Sequence, residues 1–432
     1  MYRRRSIEFA LIVTFLFSTV VAINVYASTN WLTLRYVQRM RIETTDNAIT
    51  LSREANGGRS VWRHRTSLQG ITQPHPQFTV TGRLTNEMYY HFVPEARAYD
   101  FNEIFVDLLR ATWDSIGGLP LSATVGRQNI ILGEGFVVMD GGPLDGSRSI
   151  YFNAARVDWT IAPHHSLSLI ACYQPEMETW FPVIHDQDRL LIEQPEQGLI
   201  AYYSGAFRNV DVQGYVIRKD VKSSDLAPTS GYRYCPGVRV RVPLQPSLSV
   251  TGELALQRGA FGSADVSAYG GYSYLSHSTS WPRYLPSRFT LGGLYLSGDD
   301  PQTADREDWD PLFSRWPKWS ESYIYTQVKE VGVARWTNTA SVFATLRFDL
   351  DERTRFTLDY HHLMAPEHSD PALPFPGGRG TTRGDLIIGR LTFTMNEHLD
   401  GHVLWEGFEP GDFYFDGADG YGWGRLEVTI RY

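Results

Sequence analysis

The sequence predicts an all-β fold, a transmembrane antiparallel up-and-down β-barrel of about 18 strands with short periplasmic turns and long extracellular loops. Three observations carry that prediction. The last stretch, Gly420–Tyr432, alternates with period 2: Gly424, Leu426, Val428, Ile430 and Tyr432 share one face, and Arg425, Glu427, Thr429 and Arg431 the other. A strand that is apolar toward lipid, polar toward a lumen and ends on an aromatic is what closes a membrane barrel. Second, beyond residue 27 no stretch is apolar enough to cross a bilayer as a helix, which takes ~20 residues. A membrane chain of this kind crosses as closed strands, because backbone groups in lipid must be paired internally. Third, aromatic residues make up 13% of the chain, with 24 Tyr and 12 Trp, a supply that suits two interfacial girdles.

The chain opens Met1-Tyr2-Arg3-Arg4-Arg5, runs apolar from Phe9 to Ile23, and reaches Val25-Tyr26-Ala27 before Ser28. A basic start, a short apolar core and small residues at the first and third places before a cut describe a secretory signal peptide over 1–27. The barrel is then 28–432, and its expected place is the bacterial outer membrane. Signal removal takes three Arg and Glu8, leaving 37 basic and 47 acidic residues, a balance that argues against nucleic acid. Of the 40 basic residues only those at 219, 222, 318 and 329 are lysine, so 36 are arginine. Codon bias is one explanation; the fixed fork that Arg offers to carboxylates is the other. Cys172 and Cys235 fall in strand segments not expected to be neighbours, so no disulfide is predicted.

Each strand is read from its alternation. Leu32, Leu34, Tyr36, Met40 and Ile42 alternate with Thr33, Arg35, Val37, Arg39 and Arg41; Arg63, Arg65, Ser67 and Gln69 share a face of the second strand; Phe78, Val80, Gly82 and Leu84 alternate with Thr79, Thr81, Arg83 and Thr85 in the third. Continuing to the terminal strand gives nineteen candidates, whereas a single-chain bacterial barrel has an even number. The connections decide which one goes. Short turns such as 162–165, 208–209, 244–246, 351–354 and 396–398 interleave with long loops such as 132–147, 175–197, 220–231, 366–382 and 409–419 until Tyr325–Thr337. Counting that segment as a strand would put the short turn 351–354 outside, so it belongs to a long extracellular loop, 298–339. Eighteen strands remain. The longest periplasmic turn, 277–287, holds Trp281-Pro282-Arg283-Tyr284 and is expected to fold under the bore as a plug. A soluble β-helix or propeller would need a fixed-period repeat, and none is present.

This parity lines the lumen with Arg35, Arg39, Arg41, Arg63, Arg65, Arg83, Arg156, Arg239, Arg241, Arg347, Arg390 and Arg425, mixed with Glu103, Asp107, Asp158, Asp211, Glu253, Asp349, Asp359, Glu406 and Glu427. An arginine-rich wall in a confined channel attracts anions. Interspersed acids keep any one site from holding too tightly, which conduction requires. Structural ladders that hold the barrel open are the alternative role for individual members.

Gly126-Arg127-Gln128, Gly133-Glu134, Gly146-Ser147-Arg148-Ser149, Ala155-Arg156, Ser297-Gly298-Asp299-Asp300, Trp309-Asp310-Pro311-Leu312, Arg315-Trp316-Pro317-Lys318-Trp319-Ser320-Glu321 and Tyr360-His361-His362 together resemble the bacterial alginate exporter family of outer-membrane barrels. The resemblance runs from about Leu119 to the end, and 297–321 is its most specific part. It implies an 18-stranded barrel that exports an anionic polysaccharide, an alginate-like polyuronate, through an arginine-lined constriction. It carries Arg127 and Arg156 over as pore residues, although simple alternation puts Arg127 on the face of Leu121 and Val125. The alternative function is a porin for uptake of small anionic solutes. Expected partners are the polysaccharide or small anions, outer-membrane lipid and lipopolysaccharide, and periplasmic export proteins; a monomer is expected.

Pro311, Trp316, Pro317 and Trp319 read as a stiff lid, whose acids Asp299, Asp300, Asp305, Glu307, Asp308 and Asp310 form either a solvated loop or a divalent-cation site. Asp359 and His361 share a face two apart, yet no nucleophile motif accompanies them, so no enzyme is predicted. No paired-cysteine metal motif or glycine-rich phosphate loop occurs, and neither metal nor cofactor is expected.

Overall fold

The computed structural model describes residues 31–55, 58–93, 100–139, 151–314, 318–332, 335–370 and 373–432; the signal-peptide segment 1–27 lies outside them. Eighteen strands run antiparallel, each bonded to its neighbour in chain order. They are β1 (Leu32–Thr45), β2 (Arg59–His75), β3 (Phe78–Val93), β4 (Asp100–Trp113), β5 (Leu121–Gln128), β6 (Phe152–Ala162), β7 (His165–Gln174), β8 (Glu196–Phe207) and β9 (Val210–Val221). The second half is β10 (Gly231–Gln245), β11 (Leu248–Phe261), β12 (Ala264–Ser278), β13 (Arg288–Leu296), β14 (Thr339–Asp349), β15 (Thr354–Met364), β16 (Thr382–Asn396), β17 (Leu399–Pro410) and β18 (Tyr421–Arg431). The terminal strand pairs with the first, from Val37 opposite Arg431 to Thr45 opposite Trp423, so the cylinder closes and leaves no edge in lipid. Tyr36 and Tyr432 exchange both backbone bonds across that seam, at 2.8 and 2.9 Å. As the turn count requires, Tyr325–Thr337 adds no strand; Tyr323–Val331 is a nine-residue helix, α1.

Alternation divides the wall into two faces. Arg41 stands opposite Glu427 on the inward face, while Met40 stands opposite Val428 on the outward one. The outward rows carry Val125, Leu199, Leu254 and Leu291, each between 54% and 60% exposed. Apolar surface on that scale is unfavourable in water and is what acyl chains cover.

The described residues of 298–338 fold into the barrel instead of standing above it; Trp316 and Pro317 of the expected lid lie outside the described residues. Trp309, Leu312, Tyr323 and Ile324 are all at most 2% exposed. One half of this strap lies on the β9–β12 wall, where Gln257 donates to the Asp310 carbonyl at 2.6 Å and Arg233 to that of Asp308 at 3.2 Å. Phe313 and Ser314 add a short parallel pairing with Val138 and Met139 of the β5–β6 connection. The other half reaches β16–β18: the Glu406 carboxylate accepts the Ser320 hydroxyl at 2.6 Å and the Glu321 and Ser322 amides at 3.0 and 3.1 Å. The turn 277–287, expected as the plug, closes on itself through Thr279 to Ser287 at 2.9 Å, sets Trp281 against Phe289, and joins β14 through Ser287 and Asp349. These contacts hold it to its own hairpin and β14. The bore is filled from the other end.

Candidate functional site

Strands β1–β4 build one inward wall. Cross-strand partners stand about 5 Å apart, so arginines at alternate positions of neighbouring strands meet the same carboxylates. Glu87 takes Arg63 at 2.9 Å, Arg65 at 3.4 Å and Arg39 at 3.8 Å. Asp107 takes Arg83 at 2.8 Å and Arg65 at 3.0 Å. Glu427 takes Arg41, with Arg39 at 3.9 Å, and Glu43 takes Arg425 at 2.7 Å and Arg41 at 3.2 Å. Each of these four acids is shared between two or three guanidiniums. Arg35 sits exposed on the same inward row, opposite Gln69.

A second cluster faces this wall where the strap meets β10–β12. Glu134, from the β5–β6 connection, accepts from Arg239 of β10, Tyr274 of β12 (2.7 Å) and Lys318 of the strap. Lys318 also lies 4.2 Å from the Tyr272 ring centroid, and Tyr272 and Tyr215 donate to Glu253 at 2.8 and 2.9 Å. Burial alone would push the Glu134 carboxyl up, but the Lys318 charge and the three donors outweigh it and hold the group at about 2. Burial among aromatic rings draws Lys318 below the usual lysine range despite Glu134, so the carboxylate is the better-satisfied member. Asp310 behaves like Glu134: burial opposes ionisation, and Lys219, Arg233 and Arg335 overcome it, leaving the group far below the usual range.

The remaining inward arginines are spread around the cylinder. Arg156 folds onto Asp158 of its own strand at 2.7 Å. Arg241 meets Asp211 at 3.3 Å, Arg347 meets Asp349 at 2.8 Å, and Arg390 reaches Glu321 of the strap at 3.3 Å. Arg127 is not in the bore. Gly126 takes φ 120°, and a Cβ there would lie 2.2 Å from the Leu109 carbonyl, so β5 turns its end against β4. Arg127, opposite Leu109 and Asn153, is 1% exposed and clamped by the Val106 carbonyl at 2.6 Å and Glu178 at 2.7 Å. Strand β5 is short, and segment 178–187 completes the wall beside it, with Ile184 paired to Ile104.

Sequence reasoning missed the Glu134–Lys318 contact and the role of Arg383. That arginine, fully buried, grips Glu330 of α1 with two bonds of 2.8 Å. The scarcity of lysine was the available signal, since Lys219 and Lys318 are both spent on the strap. Its acids are committed as well: Asp299 accepts the Glu307 amide at 2.7 Å, Asp300 that of Gln302 at 2.9 Å, and Asp308 pairs with Arg306 at 2.7 Å. Among the described residues no cluster of ligands for a metal forms. His361 lies 3.3 Å from Ser341, while the hydrogen bond that Asp359 accepts comes from Thr345.

No protein-family model matches the chain, and no curated relative matches it. Solved structures do. It is similar to OprD of Pseudomonas aeruginosa, 11% identical over 93% of this chain and 95% of that one, with a TM-score of 0.58. The outer membrane protein OpdK of the same organism is 10% identical over 94% and 100% of the two chains at 0.59, and OpdK with vanillate is 11% identical over 93% and 98% at 0.58. At such identities the likeness is one of fold: that of a bacterial outer-membrane barrel. It overturns the alginate exporter resemblance and, with it, the polyuronate export that the resemblance implied. Several residues of the motifs that carried it make structural contacts here. Gly126 admits the Leu109 carbonyl, Ser297 accepts the Trp309 amide, and Tyr360 and His362 face outward onto Asp385.

Proposed function

We propose that the protein is a passive outer-membrane porin for uptake of small organic anions, carboxylates above all, working as a single barrel. The observation that carries this reading is the β1–β4 wall, where Arg39, Arg41, Arg63, Arg65 and Arg83 share Glu87, Asp107 and Glu427. A solute carboxylate entering there is one more acceptor in an exchange of partners. It need not wait for a bare charge to be stripped of water, a step that costs several kcal/mol. Weak, repeated sites of this kind allow entry and release. The strap opposite them favours small solutes, since an extended polymer would have to displace the packed rings of Phe136, Trp309 and Trp319. Vanillate, the small aromatic carboxylate bound to OpdK, has the chemistry expected. Reversal potentials across a KCl gradient and swelling of proteoliposomes test the reading. Anion selectivity with faster entry of vanillate than of its neutral aldehyde is the expected result; cation selectivity, or equal entry of both, would refute it.

A further inference from the structure

The outer face of the barrel carries a feature that solute passage does not use. Across β5–β9 one outward row runs Val125, Ala155, Ala171, Leu199 and Arg218, each directly opposite the next. Next toward the periplasm lie Ala123, Val157, Leu169, Ala201 and Val216, all apolar. Next toward the outside lie Asn153, Tyr173, Gln197 and Asp220. The row between them therefore marks the level at which hydrocarbon gives way to head groups. At that level the two alanines leave a groove of about 720 Å³, with Trp180 and Tyr173 on one flank and Arg218 and Lys222 on the other. Trp180 is stacked on Tyr173 at 5.8 Å and 22°. Its outer edge is basic. Arg218 is fixed by Asp220 at 2.8 Å and by Tyr234, Lys222 is exposed, and Arg258 projects beyond Tyr234 on β11.

We propose that this groove holds a phosphate-bearing lipid of the outer leaflet. An acyl chain lies over Ala155 and Ala171 between Trp180 and Leu199, and the phosphate meets Lys222 and Arg218. Charge and level both select this occupant. Arg218 and Lys222 against the one carboxylate of Asp220 leave the groove's outer edge net positive, which calls for an anion, and the apolar rows toward the periplasm call for one that carries hydrocarbon. Arg218 can keep Asp220 and still offer a free N–H to a phosphate oxygen, since a guanidinium has five donors. The site is independent of what crosses the bore.

Native mass spectrometry of the detergent-purified protein is the test, with diphosphorylated lipid A, the same lipid dephosphorylated, and inorganic phosphate as probes. The expected result is one retained diphosphorylated lipid, with binding reduced at least about tenfold by K222Q and by A171W, which fills the floor. Dephosphorylated lipid should bind at least about tenfold more weakly than the intact one. Equal retention of the dephosphorylated lipid, displacement by inorganic phosphate alone, or no change in either variant would overturn the assignment. Wild-type circular dichroism and wild-type conductance of both variants separate a lost site from a lost barrel.

Discussion

The anchor of α1 offers the sharpest test of the strap. Arg383 is fully buried at the start of β16; it holds Glu330 through two 2.8 Å bonds, donates to the Asn338 carbonyl at 2.9 Å, and lies 4.1 Å from the Phe413 ring centroid. Replacing it with Met keeps the stem and removes the charge, leaving Glu330, whose side chain is 7% exposed, without its counter-ion. Removing one member of a buried pair costs about 3–5 kcal/mol, and every 1.4 kcal/mol is tenfold. The detached population of α1 should therefore rise by roughly two to three and a half orders of magnitude. The barrel ladder, which does not depend on this pair, should stand. Two assays read the change. Planar-bilayer recordings of R383M should show excursions to a higher conductance. A lysine-specific protease should cut at Lys318 or Lys329, the strap's lysines, far faster than in the wild type. Adding E330Q should restore part of the docking, because it removes the stranded charge. Unchanged cleavage and unchanged conductance in R383M would refute the claim that this pair holds the helix inside.

Further outcomes follow from the same geometry. The triple variant R39Q/R63Q/R65Q should lower the anion-to-cation permeability ratio in reversal-potential measurements, whereas R127Q should leave it alone and instead expose the segment around Glu178 to proteolysis. Glu134 sits at about 2 in the folded protein, below the ~4.3 of a free glutamate. Its contribution to strap docking is therefore complete above about 4.3 and is lost as pH falls from there toward about 2. Gating noise should rise across that window in the wild type and show no such rise in E134Q. Replacing Glu406 by Ala strands the Glu321 and Ser322 amides, each at a cost of about 1–3 kcal/mol. Hydrogen exchange at those two amides should quicken while the ladder amides of β17 stay protected.

What could be read in advance, and what could not, divides by range. Alternation is a local property, so it gave the eighteen strands and set the inward arginines of β1–β3 on one face without any partner being known. Turn lengths then removed Tyr325–Thr337, because a misplaced strand inverts every later connection. The strap's inward course was hidden, since Lys318 meets Glu134 across 184 positions and Glu406 meets Ser320 across 86. Nothing in either neighbourhood announces the other. Arg383 escaped for a different reason. Gly384 takes φ 133°, which breaks the alternation that would otherwise have turned Arg383 outward. The exporter resemblance gave weight to short motifs built of Gly, Trp and Pro, residues that this chain uses for tight backbone approaches and ring packing.

The strap leaves the cylinder at Leu296 and rejoins it at Thr339, which are partners on adjacent strands. Aperture and container are thus separate parts. For the channel proposed above, an insertion, deletion or exchange between those two points would alter what the passage admits without shifting the register of the surrounding strands. A lineage under pressure for a new nutrient has a spare component to rewrite while the vessel that carries it stays sound.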